Sequence, residues 1–272
     1  MNKPEKKALL LYSSPFNITC IQEAINFFSI RDIHIVNLCL TNDRNHQQLQ
    51  IKIAEIINAN VSTTSLDYSA VARESLEKRI DIYASIIPTL KNENFDIVFF
   101  GDYRFQWQKD IIETLNNPNT YMLDDGAATI AFLHYHWPMK KVFSIPKIGS
   151  EERIKEAEDI KTRLGIRNST LDFLKIFTIF AHILPKEKNI IQNNLSHLRA
   201  TFEQLDSDCD LIIGAKLVGR EFMSYEDYEA FIRNIIKNCQ GKKVLYAPHR
   251  GQPKIMTEQL IRNNKELTLL SN

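Results

Sequence analysis

Short, predominantly apolar runs, each running into a polar turn and then into residues at helical spacing, constrain this chain more than any other feature. Ala8–Tyr12, Ile33–Leu38, Phe95–Phe100, Tyr121–Leu123, Leu211–Ile213 and Val244–Ala247 are such runs. A strand with no polar alternation is buried on both faces, which is the condition of a parallel sheet covered by helices. Between the runs, apolar residues recur on one helical face: Ile21, Ala24, Ile25 and Phe28; Leu49, Ile53, Ile56 and Ile57; Leu76, Ile80, Tyr83 and Ile87, the last helix stopping near Pro88. Ser224-Tyr225-Glu226-Asp227 resembles a capping box that opens a helix buried through Tyr228, Phe231, Ile232, Ile235 and Ile236, and Gly241 ends it. Further helices are expected over Gln106–Leu115, at Leu195, Leu198, Phe202 and Leu205, and at Lys254–Ile261, with strands at Val61–Leu66, Phe173–Ile183 and Leu267–Leu270. The alternation predicts an α/β protein with doubly wound parallel sheets.

A chain of 272 residues with 44% hydrophobic content has room for two such cores. Pro146, Gly149 and Ser150 break structure, and the heavily charged stretch Glu151–Leu164 carries only a sparse stripe of Ile154, Ala157, Ile160 and Leu164. That pattern suits a connector. The expected division is therefore a domain over 1–148, a connector helix over 149–166 and a second domain over 167–272.

Several function classes are disfavoured. Lys+Arg 34 against Asp+Glu 33 leaves a net charge of +1, so no global field recruits nucleic acid. Cys20, Cys39, Cys209 and Cys239 lie far apart with no C-x-x-C pair, which reads as reduced thiols of a cytoplasmic protein. The run Ala8–Tyr12 is too short for a signal peptide, and Leu171–Leu184 is interrupted by Asp172, Lys175 and His182, so no span is expected. Attachment to a membrane surface, at its inner face, stays open, as does the oligomeric state. His134 and His136 lack a third ligand at metal-site spacing, and they are expected in a loop or edge strand near the cleft, with no metal.

The candidate chemistry sits where apolar runs end, because open α/β sheets bind ligands beyond the carboxyl ends of their strands. Thr120–Leu123 ends in Asp124-Asp125-Gly126, and Val244–Ala247 ends in Pro248-His249-Arg250. A carboxylate from the first half and an imidazole from the second, on opposite sides of one substrate, would supply a base and an acid. Gly101 lets the chain turn at the tip of another run, holding Asp102 and Arg104 at the same edge as Asp124. Ser13 and Ser14 follow the first run, where backbone N–H groups can meet an anion, although turn and cap serines are the plainer reading.

Taken together, Ser14-Pro15-Phe16, Gly101-Asp102, Leu123-Asp124-Asp125-Gly126, Ile213-Gly214-Ala215, the Ser224–Tyr228 helix start and Tyr246-Ala247-Pro248-His249-Arg250 resemble the bacterial sialyltransferase and polysialyltransferase families of GT-B fold. The resemblance implies two Rossmann-like domains facing across a cleft, the first on the acceptor side and the second binding the nucleotide sugar. It makes Asp124 the general base, Asp125 its support, Gly126 the residue that lets the acceptor approach, and His249 the group that meets the donor phosphate. Ser14, Asp102, Gly214 and Arg250 join the substrate-binding set; Arg250 stands where the family has proline, with Pro248 on the other side, and an arginine can clamp a phosphate. The implied reaction moves sialic acid or a related acidic sugar from a CMP-sugar donor to an oligosaccharide or glycolipid acceptor of a bacterial surface, with inversion and with neither metal nor cofactor. The chain ends at Asn272, 23 residues past His249, where the family continues, so a short second domain is expected. A GT-B transferase using another nucleotide sugar, a non-catalytic nucleotide- or glycan-binding relic, and a phosphotransfer enzyme with magnesium on Asp124 and Asp125 are the alternatives.

Overall fold

In a computed structural model of the chain, the described residues are 5–39, 44–138, 150–166, 174–201, 209–215, 217–218, 223–239, 243–249 and 252–270. Arg250, the break at 146–149, Phe173, Phe202, Leu205 and Gly241 lie outside them. The chain divides into two compact units, Met1–Thr201 and Phe202–Asn272.

The first unit is built on β1 (Lys6–Tyr12), β2 (Ile30–Cys39), β3 (Asn60–Asp67), β4 (Ile97–Phe100), β5 (Thr120–Leu123), β6 (Lys175–Thr178) and β7 (Ile190–Gln192). They form one 7-stranded sheet in the order β3-β2-β1-β4-β5-β6-β7, with every pairing parallel. Its helices are α1 (Pro15–Phe28), α2 (Arg44–Ile53), α3 (Leu76–Ala84), α4 (Ile87–Asn92), α5 (Gln106–Leu115), α6 (Ala127–Tyr135), α7 (Glu151–Arg163) and α8 (Ser196–Thr201). Strand β1 is central, with Leu10 opposite Ile35 on one side and Phe99 on the other. Its side chains alternate between two cores. Leu9 and Leu11 pack with Phe100, Ile111 and Met122, while Ala8, Leu10 and Tyr12 pack with Ile21, Ile25, Phe99 and Leu123. Each such leucine contributes about 1.5–3 kcal/mol of burial, which explains why the run tolerates no polar residue. The strand order reverses between β1 and β4, the switch point at which a sheet of this kind opens a ligand crevice beyond its carboxyl edge.

Three details differ from the sequence expectation. Pro88 does not stop a helix; it lies in the first turn of α4, where its missing N–H is no loss, and α3 has already ended at Ala84. His134 and His136 are not in a loop or edge strand: His134 is exposed in the last turn of α6, and His136 caps that helix with its ring 5.2 Å from that of Tyr103. The expected boundary at 148–166 falls inside the first unit. The stretch read as a connector is α7, whose Ile160 is buried in the first core with Ala157 and Leu164 against it, and β6 and β7 then extend the first sheet. The charge on α7 hid this, because Lys161 is itself buried and its ammonium lies 2.8 Å from buried Asp110 on α5.

The second unit holds β8 (Cys209–Ile213), α9 (Tyr225–Asn238), β9 (Lys243–Ala247), α10 (Lys254–Asn263) and β10 (Leu267–Leu269). Its 3-stranded parallel sheet, β10-β9-β8, buries Ile212, Val244, Tyr246 and Leu267 against Tyr228, Ile232 and Leu260. The expected cap is present, Ser224 Oγ accepting from Asp227 N at 3.1 Å. No helix among the described residues is long and apolar enough to cross a membrane.

Candidate functional site

The carboxyl tips of β1, β4 and β5 are laced together by two buried amides. Asn17, in the first turn of α1, is fully buried; its Oδ1 accepts from Ser13 N at 2.9 Å, Ser14 N at 3.0 Å and Ser13 Oγ at 2.7 Å. Its Nδ2 donates to the Asp124 carbonyl at 3.1 Å, so one side chain joins the β1–α1 turn to the end of β5. Gly101 makes room for it: a Cβ at that position would stand 2.2 Å from Asn17 Oδ1. Gln108, also fully buried, donates from Nε2 to the carbonyls of Leu11 and Tyr12, each at 3.2 Å, and accepts from Asp102 N at 3.2 Å.

On this frame the two adjacent acids have different surroundings. Asp124 is 0% exposed and both of its oxygens are taken: Oδ1 accepts from Thr178 Oγ1 at 2.6 Å and Oδ2 from Ile179 N at 2.9 Å. Burial raises its pKa, and the bonds from Thr178 and Ile179 pull it back in part. It works as a latch between β5 and the end of β6. The side chain of Asp125 is 13% exposed, with Oδ1 accepting from Ser14 Oγ at 2.5 Å and Oδ2 lying 3.3 Å from Arg104 Nη2. Its N–H donates to Thr129 Oγ1 at 2.6 Å, which fixes the acid at the start of α6. Burial raises the Asp125 pKa, the Ser14 hydroxyl lowers it, the negative charge of Asp102 raises it and the Arg104 guanidinium lowers it. Asp102 is buried at 2% and binds Arg104 through both oxygens, with Nε at 2.8 and 3.0 Å and Nη2 at 2.5 Å from Oδ2. Gly126, at φ 61 and ψ −131, occupies a conformation that L side chains avoid, and it turns the chain into α6 directly after the acids.

Of the two acids, Asp124, which the resemblance made the base, is the fully buried one that holds the edge, and Asp125 is the more exposed. Ser14, Asp102, Asp124, Asp125 and Gly126 do come together at one sheet edge. Ser13 and Ser14 hold the frame and the more exposed acid through their hydroxyls. Asn17, Gln108, Thr129 and Thr178 were not anticipated. Asn17 had a signal, standing three residues after the cap Ser14; Thr178 had none, because its strand was read as running on to Ile183.

In the second unit, His249 follows β9 at the carboxyl edge of that sheet, where its carbonyl accepts from Gln252 N at 2.8 Å. Gly214 follows β8, and its N–H donates to the Ala247 carbonyl at 2.8 Å. A Cβ there would meet the Tyr246 hydroxyl at 2.5 Å, so glycine allows the close approach. The Tyr246 hydroxyl lies 3.0 Å from that of Tyr228 and donates to Gln252 Oε1 at 2.8 Å; burial raises its pKa.

No family model matches the chain, and no curated protein does. Among solved structures, CalG4, the calicheamicin glycosyltransferase, is similar at a TM-score of 0.52 and 12% identity, over 98% of this chain and 70% of that one. The UDP-GlcNAc 2-epimerase of Neisseria meningitidis, bound to UDP-GlcNAc, gives 0.49 and 12%, over 98% and 72%. MurG of Acinetobacter baumannii gives 0.44 and 11%, over 97% and 67%. The likeness to CalG4 is one of fold: an α/β chain with two Rossmann-like units of GT-B type, the second with the smaller sheet.

Proposed function

We propose that this chain transfers a sugar from a nucleotide-linked donor to a hydroxyl acceptor, with Asp125 as the base and His249 at the donor phosphate. The supporting observation is Asp125 itself: the more exposed of the two acids at the carboxyl edge of the sheet, held by Ser14 and Arg104, with its proton affinity raised. Such a group takes the acceptor proton as the acceptor oxygen bonds to the anomeric carbon. The bond from that carbon to the phosphate oxygen breaks, its electron pair leaves with the nucleotide, and one displacement inverts the centre. A protonated His249 stabilises the departing phosphate. The finer reading, a CMP-linked sialic acid or related acidic sugar as donor, rests on the motifs at Asp124-Asp125-Gly126 and Pro248-His249. The nucleotide sugar is a substrate in this scheme, and no cofactor enters it.

The test is release of free nucleotide from CMP-sialic acid and from a panel of UDP-sugars, each with EDTA and without. Turnover of CMP-sialic acid in EDTA supports the full reading. Turnover of a UDP-sugar alone keeps the transferase and replaces the donor. Nucleotide binding with no turnover of any donor refutes the proposal in favour of a binding protein.

A further inference from the structure

The first unit contains a cavity of about 620 Å³ at the carboxyl ends of β1 and β2, lined also by residues of α3, the start of α5, and α7. We infer that this cavity binds the acceptor, and that the acceptor is an apolar, ring-sized molecule bearing a hydroxyl and a carbonyl or carboxylate, not an oligosaccharide. The inference rests on the proposed transfer reaction for the hydroxyl and on the cavity alone for the rest.

The volume is that of a drug-sized ligand. Leu38, Tyr68, Leu76, Ile80, Phe105 and Trp107 supply its walls. A sugar chain carries a hydroxyl on nearly every carbon, and against such walls each unmatched hydroxyl would cost about 1–3 kcal/mol. A fused-ring or polyketide-like molecule meets the same walls favourably and needs few polar partners. The polar groups present are consistent with that. Arg79 lines the cavity, and its Nε is buried with no hydrogen-bond partner among the described residues, a donor suited to a carbonyl or carboxylate oxygen. Lys161, Tyr83 and Gln106 also line it, but all three already converge on Asp110 at 2.7 to 2.8 Å and have less to offer a ligand.

The cavity and the base share two loops. Ser13 lines the cavity, and the next residue, Ser14, holds Asp125 Oδ1. Phe105 lines it too, and the preceding residue, Arg104, touches Asp125 Oδ2. On this inference the acceptor hydroxyl lies where these two loops meet, toward Asp125. In the reaction its O–H proton passes to that carboxylate, its oxygen bonds to the anomeric carbon, and the nucleotide leaves with the electrons of the broken bond.

The test is binding of umbelliferone, naphthol and lactose to the full chain, followed by isothermal titration calorimetry with no donor present. The two aromatic probes should bind and lactose should not. Ala72→Trp, which fills the cavity from a partly exposed turn, should weaken both aromatic probes by about tenfold or more. Arg79→Met should weaken umbelliferone, which has a carbonyl, by about fivefold and leave naphthol unchanged. Circular dichroism checks that each variant is folded, and the Arg79 contrast stands if the Ala72 variant is not. Absence of aromatic binding, equal binding to wild type and both folded variants, or binding of lactose in their place overturns the inference. Transfer to lactose with no aromatic binding would do so while leaving the transferase reading intact. Aromatic binding with no turnover of any nucleotide sugar would support the cavity assignment and refute the transferase reading.

Discussion

Replacing Asp124 with alanine should damage the fold far more than a surface acid would, because its two oxygens are the acceptors for Thr178 Oγ1 and Ile179 N. Without them the part-buried Ile179 N–H loses its acceptor, at about 1–3 kcal/mol, and the Thr178 hydroxyl loses its bond, at about 1 kcal/mol. Release of a carboxylate whose protonation burial already favours offsets part of this, so the net loss is about 2–4 kcal/mol. For a unit of this size that lowers the melting temperature by about 5–15 °C. The two tryptophans, Trp107 and Trp137, both lie in the first unit, so fluorescence melting reports on that unit. Asp124→Asn keeps the shape and one acceptor and should lose about half as much. The pH dependence has a definite sign. A carboxyl whose folded pKa is raised contributes stability that is fully present below its unfolded value, near ~4, and that is lost as pH rises through the folded value. The melting gap between wild type and Asp124→Asn should therefore widen on acidification. An unchanged melting temperature for Asp124→Ala would refute the latch and return Asp124 to the role of base; a gap that narrows as pH falls would mean that the bonds from Thr178 and Ile179 outweigh burial.

Two further outcomes follow from the frame. Gly101→Ala drives a Cβ into Asn17 and should cost about 2–4 kcal/mol in a denaturant titration; adding Asn17→Ala should cost less than the sum of the single changes by about 1 kcal/mol or more. Asp102→Asn removes a negative charge that raises the Asp125 pKa and releases Arg104 to face Asp125, so the acid limb of the kcat/KM profile should move to lower pH.

The strands and their parallel pairing were legible because burial on both faces leaves predominantly apolar runs, and the cap at Ser224 was legible because its spacing is local. The limits of the first unit were not. Strand β7 is three residues long, Ile190–Gln192, too short to carry a period, and α7 hides a buried lysine whose partner, Asp110, is 51 residues away. The site was legible as a place, since Asp124 and Asp125 end a strand beside Gly126. Which acid is the more buried was not, because the answer depends on Thr178, 54 residues from Asp124, and on Ser14, 111 residues from Asp125. Pairings at that separation leave no mark on local pattern. The acceptor cavity is likewise assembled from five separate stretches of chain, and Tyr12 and Ala157, which both line it, lie 145 positions apart (157 − 12).

The most direct test of the account compares wild type with Asp125→Asn, using whichever nucleotide sugar wild type turns over. The carboxamide keeps the size of the side chain and removes the base, so transfer should fall by about two to four powers of ten while nucleotide affinity stays within about twofold. Transfer at an undiminished rate by Asp125→Asn would contradict the assignment of that carboxylate as the group that takes the acceptor proton.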